Sequence, residues 1–116
     1  MQKKQNNYNR GERIAAKVQM LCAEILRDRF GDDALLSGVS LVGAAAHGGL
    51  QFVRLFYYSR GGQNDAVQRR LDEITRTVRY ELAARMNQKY VPDIRFEYDD
   101  TLDRAAKIED LLNNLK

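Results

Sequence analysis

The sequence predicts a single α+β domain in which helices lie on one face of a three-stranded sheet. Three observations carry this. Apolar residues recur at helical spacing in three long stretches, around residues 10–30, 65–82 and 101–115. Three short stretches, rich in β-branched and aromatic residues, follow period two instead. The chain has 116 residues and neither an internal repeat nor a Pro/Gly-rich linker, which suits one core and no second domain.

Residues 1–9 are polar and amide-rich, and they read as a flexible basic arm ahead of a folded unit at 10–100. From Arg10 the pattern is helical, with Ile14, Val18, Leu21 and Ile25 on one stripe. Gly31 and the acidic pair Asp32-Asp33 close this helix. Val39, Leu41 and Val42 form a short strand, and 43–49 its weak end and a turn. Residues 50–58 are a second strand, followed by the loop 60–64.

Asp65 is the expected cap of the next helix, with Gln68 completing a capping box. Its stripe is Val67, Leu71, Ile74, Val78 and Leu82, within about 80° of one another. Continued straight, that azimuth would carry Arg85 and Lys89 into the core, so the helix should bend or end after Leu82. Pro92 should open a third strand, in which Ile94 and Phe96 alternate with Arg95 and Glu97. Thr101 is the candidate cap of a last helix at 101–116, apolar at Ile108, Leu111, Leu112 and Leu115.

Composition excludes several function classes. No stretch approaches the roughly 20 apolar residues of a membrane span, and the N-terminus lacks the apolar core of a secretory signal. One cysteine, Cys22, permits no internal disulfide and fits a reducing, cytoplasmic setting. The single histidine, His47, sits among glycines without an adjacent base. Cys22 borders an apolar stripe and reads as a core residue. No phosphate-cradling loop or twelve-residue calcium loop is present. The expectation is therefore a non-enzyme with no cofactor, metal or small-molecule substrate.

Charge is more informative than catalytic inventory. Residues 1–30 carry seven Lys/Arg against three Asp/Glu, and residues 60–90 seven against four. Residues 91–116 reverse this, with four against seven. The cations thus sit on two helices, which suits a polyanionic partner. Arg13 lies about 110° from the first apolar stripe, with Arg10 and Lys17 between it and the stripe and Arg27 beyond. Arg69, Arg76 and Tyr80 point away from the second stripe, with Arg79 flanking. Arginine forks fit phosphate oxygens, and an exposed tyrosine offers a stacking face. A merely solubilising surface with pairs such as Asp72–Arg76 and Glu81–Arg85 remains the alternative. On the second strand, Phe52, Arg54, Phe56 and Tyr58 share one face. Such a face is either packed or, as in RNA-reading sheets, open.

The stretch Lys89-Tyr90-Val91-Pro92-Asp93-Ile94-Arg95-Phe96-Glu97-Tyr98-Asp99-Asp100-Thr101 resembles the ribosome-binding factor A family. That family carries a basic residue, an apolar step into proline, and a strand ending in Phe-x-Tyr-Asp-x-Ser. Val78-Arg79 and Arg13-Ile14 match apolar–Arg and Arg–apolar pairs in its two helices, and 102–108 resembles its tail. The resemblance spans roughly 10–115. It implies a KH-like fold of the second type, helix-strand-strand-helix-strand, plus the last helix. It implies a monomeric ribosome assembly factor that binds the small ribosomal subunit and its rRNA and assists late maturation. Lys89, at the motif's basic position, then joins Arg10, Arg13, Lys17, Arg69, Arg76 and Arg79 as RNA-binding candidates. Three departures stand out. Ile74-Thr75-Arg76 replaces the family's small-x-Gly kink, Gly31-Asp32-Asp33 replaces Asp-Pro-Arg, and 46–49 lacks the usual Asp. A protein-interaction module without RNA contact is the alternative function.

Overall fold

The computed structural model describes residues 2–48 and 51–115, with side chains from Arg10 onward. The elements follow in the expected order: α1 (Gln2–Phe30), β1 (Val39–His47), β2 (Phe52–Ser59), α2 (Asp65–Met86), β3 (Asp93–Tyr98) and α3 (Thr101–Asn114). The sheet order is β1-β2-β3, with β1 antiparallel and β3 parallel to β2. Only the crossover through α2 joins parallel strands, as parallel pairing requires. The arrangement is α+β and KH-like.

Alternation along β2 fixes the core. Val53, Leu55 and Tyr57 are fully buried, facing α1 and α2, while Phe52, Arg54, Phe56 and Tyr58 face the other way. Ile94 and Phe96 pair in register with Val53 and Leu55 and extend the same buried surface. Val18, Cys22 and Ile25 from α1 and Leu71, Ile74, Val78, Leu82 and Met86 from α2 close over it. Val39, Leu41, Ile14 and Leu21 are partly buried against it. Tyr57 is the largest fully buried side chain. Its hydroxyl donates to Gln68 Oε1 at 2.6 Å, and Gln68 Nε2 donates to the Phe96 carbonyl at 3.0 Å. The polar end of a buried tyrosine is thereby satisfied.

Several boundaries differ from the sequence reading. α1 begins at Gln2 rather than Arg10, since nothing in 2–9 breaks a helix. The side chains of this expected arm lie outside the described residues, as do Gly49 and Leu50. β1 continues to His47, so 43–47 is strand and not turn. Here Ala44 and Ala46 pack toward the core beside Gly11 and Ala15 of α1, where small side chains admit the helix. A bulge between Leu41 and Gly43 sets aside Val42. The α2 cap is Asn64, one residue before Asp65; its side chain accepts from the Ala66 and Val67 amides. Gln68 turns to Tyr57 and Phe96 instead of completing a capping box.

α2 is unbroken through Thr75, whose hydroxyl donates to the Leu71 carbonyl. It ends after Met86 with Asn87 in the left-handed region, φ 53°. Arg85 stays helical and avoids the core by pairing with Asp28 at 3.2 Å and Glu24 at 3.6 Å. Pro92 is buried one residue ahead of β3, where no ladder hydrogen bond is lost.

The last helix departs most from expectation. Thr101 is its first residue rather than its cap, and the Asp99 carboxylate accepts the Thr101 amide at 2.9 Å. α3 buries no residue: Ile108, Leu111, Leu112 and Leu115 are all more than half exposed. Two helices, not three, therefore cover the sheet.

The ion pairs yield a pH prediction. The Arg70 guanidinium, hydrogen-bonded to Asp33 at 2.8 Å, holds that carboxyl below the usual carboxylate range. Arg54 does the same to Glu97. A carboxyl whose folded pKa is depressed stabilises the fold above its ordinary pKa. That contribution disappears as pH falls through the lowered folded value. Urea midpoints should therefore be flat near neutrality and fall below about pH 4. In the Asp33→Asn and Glu97→Gln double variant the acid fall should be shallower. An equally steep fall would assign it to other groups.

Candidate nucleic-acid interface

Topology gathers cations at one end of the domain. α1 and α2 run antiparallel, tied by Arg85–Asp28, Arg29–Glu81 and, beyond the end of α1, Arg70–Asp33. α1 also runs antiparallel to β1: Gln19 Nε2 donates to the Leu41 carbonyl, and Gly11, Glu12 and Ala15 lie beside 44–46. The start of α1 thus lies at the same end of the domain as the end of β1, the start of β2, the start of β3 and the loop after α2. Arg10, Arg13 and Lys17 come from α1, and Lys89 from that loop. All four are exposed and form no ion pair among the described residues.

The opposite end is acidic. It holds Asp33, Asp65, Asp99, Asp100 and Asp103 where α1 ends, α2 begins and β3 passes into α3, with Arg70 paired to Asp33 and Arg104 to Asp100. The cations of the other end, Arg10, Arg13, Lys17 and Lys89, lack such partners among the described residues, so a polyanion would meet them unneutralised.

The other candidates are not brought to the same place. Arg69 and Arg76 are exposed on the outer side of α2, with Arg69 in its first turns, toward the acidic end. Tyr80 shares that side and is 76% exposed. Arg79 is at the basic end but engaged within the chain. Its guanidinium donates to the Pro92 and Val91 carbonyls at 3.2 and 3.0 Å and pairs with Asp93 at 3.0 Å. It clamps the loop that presents Lys89 and Tyr90. Arg79→Ala should therefore cost roughly 1–2 kcal/mol of stability, read as a lower urea midpoint. Arg79→Lys should not restore it, because an ammonium cannot span two carbonyls and a carboxylate.

Two residues of this end escaped the sequence reading. Tyr90, 70% exposed, stands with Gln51, Gln88 and Lys89 around a hollow of about 480 Å³. Arg95 is exposed on β3, its guanidinium 5.2 Å from the centre of the Phe52 ring. The alternation of Arg95 with Ile94 and Phe96 was the available signal for its exposure. Nothing in the sequence indicated the orientation of Tyr90.

His47 ends β1, exposed, its ring tilted against Phe52. Burial pushes the Cys22 thiol up to about 12, which keeps it protonated and unreactive. Among the described residues no group of three or more His, Cys, Asp or Glu could hold a metal ion. No described helix is long and apolar enough to cross a membrane.

Comparison with known proteins agrees with this architecture. The family model for ribosome-binding factor A matches residues 10–112. The ribosome-binding factor A of Limosilactobacillus fermentum is 32% identical over 113 residues, covering 95% of this chain and 93% of that protein. That of Coxiella burnetii is 32% identical over 104 residues, covering 89% and 87%. The crystal structure of ribosome-binding factor A from Thermus thermophilus superposes with a TM-score of 0.66 at 15% identity, covering 76% of this chain and 94% of that one. A Thermus thermophilus homology model fitted into a cryo-electron microscopy map of a 30S complex gives 0.62 at 15% identity, covering 73% and 90%. With its fold, its proline-strand motif and these matches in agreement, the chain belongs to the ribosome-binding factor A family.

Proposed function

We propose that this protein is a non-enzymatic assembly factor that docks on rRNA of the small ribosomal subunit and assists its late maturation. The observation that carries the reading is the basic end, where Arg10, Arg13, Lys17 and Lys89 project without acidic partners among the described residues. Its support from relatives is the Thermus thermophilus factor fitted into a map of a 30S complex. Docking is electrostatic: each neutralised phosphate releases counterions, and the shape of the folded rRNA selects the site. A factor that prefers one rRNA conformation draws the subunit toward it by mass action. The protein acts as a monomer, in the cytoplasm, without a cofactor. Co-sedimentation with mature and immature small subunits at low and moderate salt tests this. The protein should pellet with immature subunits at low salt and be released as salt rises. Failure to pellet at low salt would sink the reading.

A second reading, a protein-interaction module without RNA contact, is favoured by the uncovered apolar side of α3. It predicts subunit binding that is insensitive to salt and is lost in an Ile108→Ser and Leu112→Ser variant.

A further inference from the structure

The sheet side facing away from α1 and α2 is neither buried nor ordinary surface. β2 presents Phe52, Arg54, Phe56 and Tyr58 there, each partly exposed. β1 sets Gly43, Ala45 and His47 opposite Phe56, Arg54 and Phe52, and β3 adds Arg95 and Glu97. The least extent of the molecule, 20 Å, accommodates the sheet and one helical layer of about 10–12 Å. Among the described residues no third layer covers this side.

Its chemistry is specific. The Arg54 guanidinium lies 4.9 Å from the centre of the Phe56 ring, and Arg95 stands likewise over Phe52. Arg54 is also fixed by Glu97, Nε to Oε2 at 2.9 Å. Tyr58 stacks on Tyr98 with ring centres 6.0 Å apart and planes 30° from parallel. Among the described residues, and apart from Val42 at the bulge, this side carries no branched aliphatic residue, and Gly43 and Ala45 keep its β1 flank low. It offers flat π surfaces and guanidinium planes, the two kinds of surface on which bases stack.

We infer that this open face is a second RNA surface, which holds unpaired bases by stacking on Phe52 and Phe56 and their arginines. Charge and continuity favour RNA over a protein partner. Arg95 forms no ion pair among the described residues, so the face retains a free cation. Phe52, His47 and Arg95 border the end that carries Arg10, Arg13, Lys17 and Lys89. A strand whose phosphates lie along that end continues onto the rings. The inference rests on the RNA reading, but the preference for bases is separable from the basic end, because stacking neutralises no phosphate.

The probes are a short unstructured oligoadenylate and an abasic ribose-phosphate chain of equal length, each titrated at low and moderate salt. The wild-type protein should bind oligoadenylate more tightly than the abasic chain. Phe52→Leu and Phe56→Leu, which keep an apolar side chain in the strand, should each lose roughly tenfold in oligoadenylate affinity at an unchanged salt slope. The Arg10→Gln, Arg13→Gln and Lys17→Gln variant should show the converse, a flatter slope with the preference for bases intact. Equal binding of the two probes by the wild type, which requires no variant to fold, would overturn the inference and leave the basic end untouched. Leucine variants that keep oligoadenylate affinity but lose small-subunit association would also overturn it and make the face a protein-docking surface. A flat salt slope in the wild type, with bases still preferred, would remove the basic end and keep the stacking face.

Discussion

Phe96→Ala is expected to cost about 3–5 kcal/mol. Phe96 is 2% exposed in β3, paired in register with fully buried Leu55 and within the cluster formed with α1 and α2. β3 is an edge strand joined to the sheet only through β2, so the ring anchors that edge from the inside. Its carbonyl also accepts from Gln68, which in turn receives the Tyr57 hydroxyl. Loss of the ring therefore leaves a cavity and loosens a polar network set around it. A domain with the usual stability of about 5–15 kcal/mol would lose a large share of its margin. Equilibrium urea unfolding of the variant should show a midpoint far below wild type. A shift under about 1 kcal/mol would contradict the placement of Phe96 at the centre of the core.

Where periodicity was strong, the sequence was a good guide to the fold. The helix stripe from Val67 to Leu82 and the alternation Val53-Leu55-Tyr57 each admit one burial pattern. Both are observed, because a slip of one residue would bury Arg54 or expose Leu55. The stretch 43–47 was harder, since alanines carry little strand signal and take their conformation from β2 and α1. The cap of α2 moved by one residue because Asn64 and Asp65 are both competent caps and only backbone geometry chooses between them. α3 shows the limit of amphipathic reasoning: its stripe predicts an apolar side but not whether this chain supplies a cover.

The candidate site was legible in part. Helical spacing identified Arg10, Arg13 and Lys17 as exposed, and the motif identified Lys89. That these meet at one end follows from the antiparallel run of α1 along β1, which no local pattern encodes. For the same reason Arg79 looked like Arg76 in sequence. A long-range contact with the loop before β3 separates their roles.

The most direct test of RNA docking is the salt slope of small-subunit binding, measured for the wild type and for the Arg10→Gln, Arg13→Gln and Lys17→Gln variant. These side chains are exposed on α1 and form no ion pair with the described residues, so the variant should fold with nearly unchanged urea stability. Each cation that neutralises a phosphate contributes roughly 0.7–0.9 to the slope of log affinity against log salt. Removing three should flatten the slope by about 2–3 and weaken binding on the order of a hundredfold near 0.1 M salt. Arg69→Gln and Arg76→Gln, away from the basic end, should change the slope less. A folded triple variant that binds small subunits with the wild-type affinity and the wild-type slope would contradict docking through the basic end.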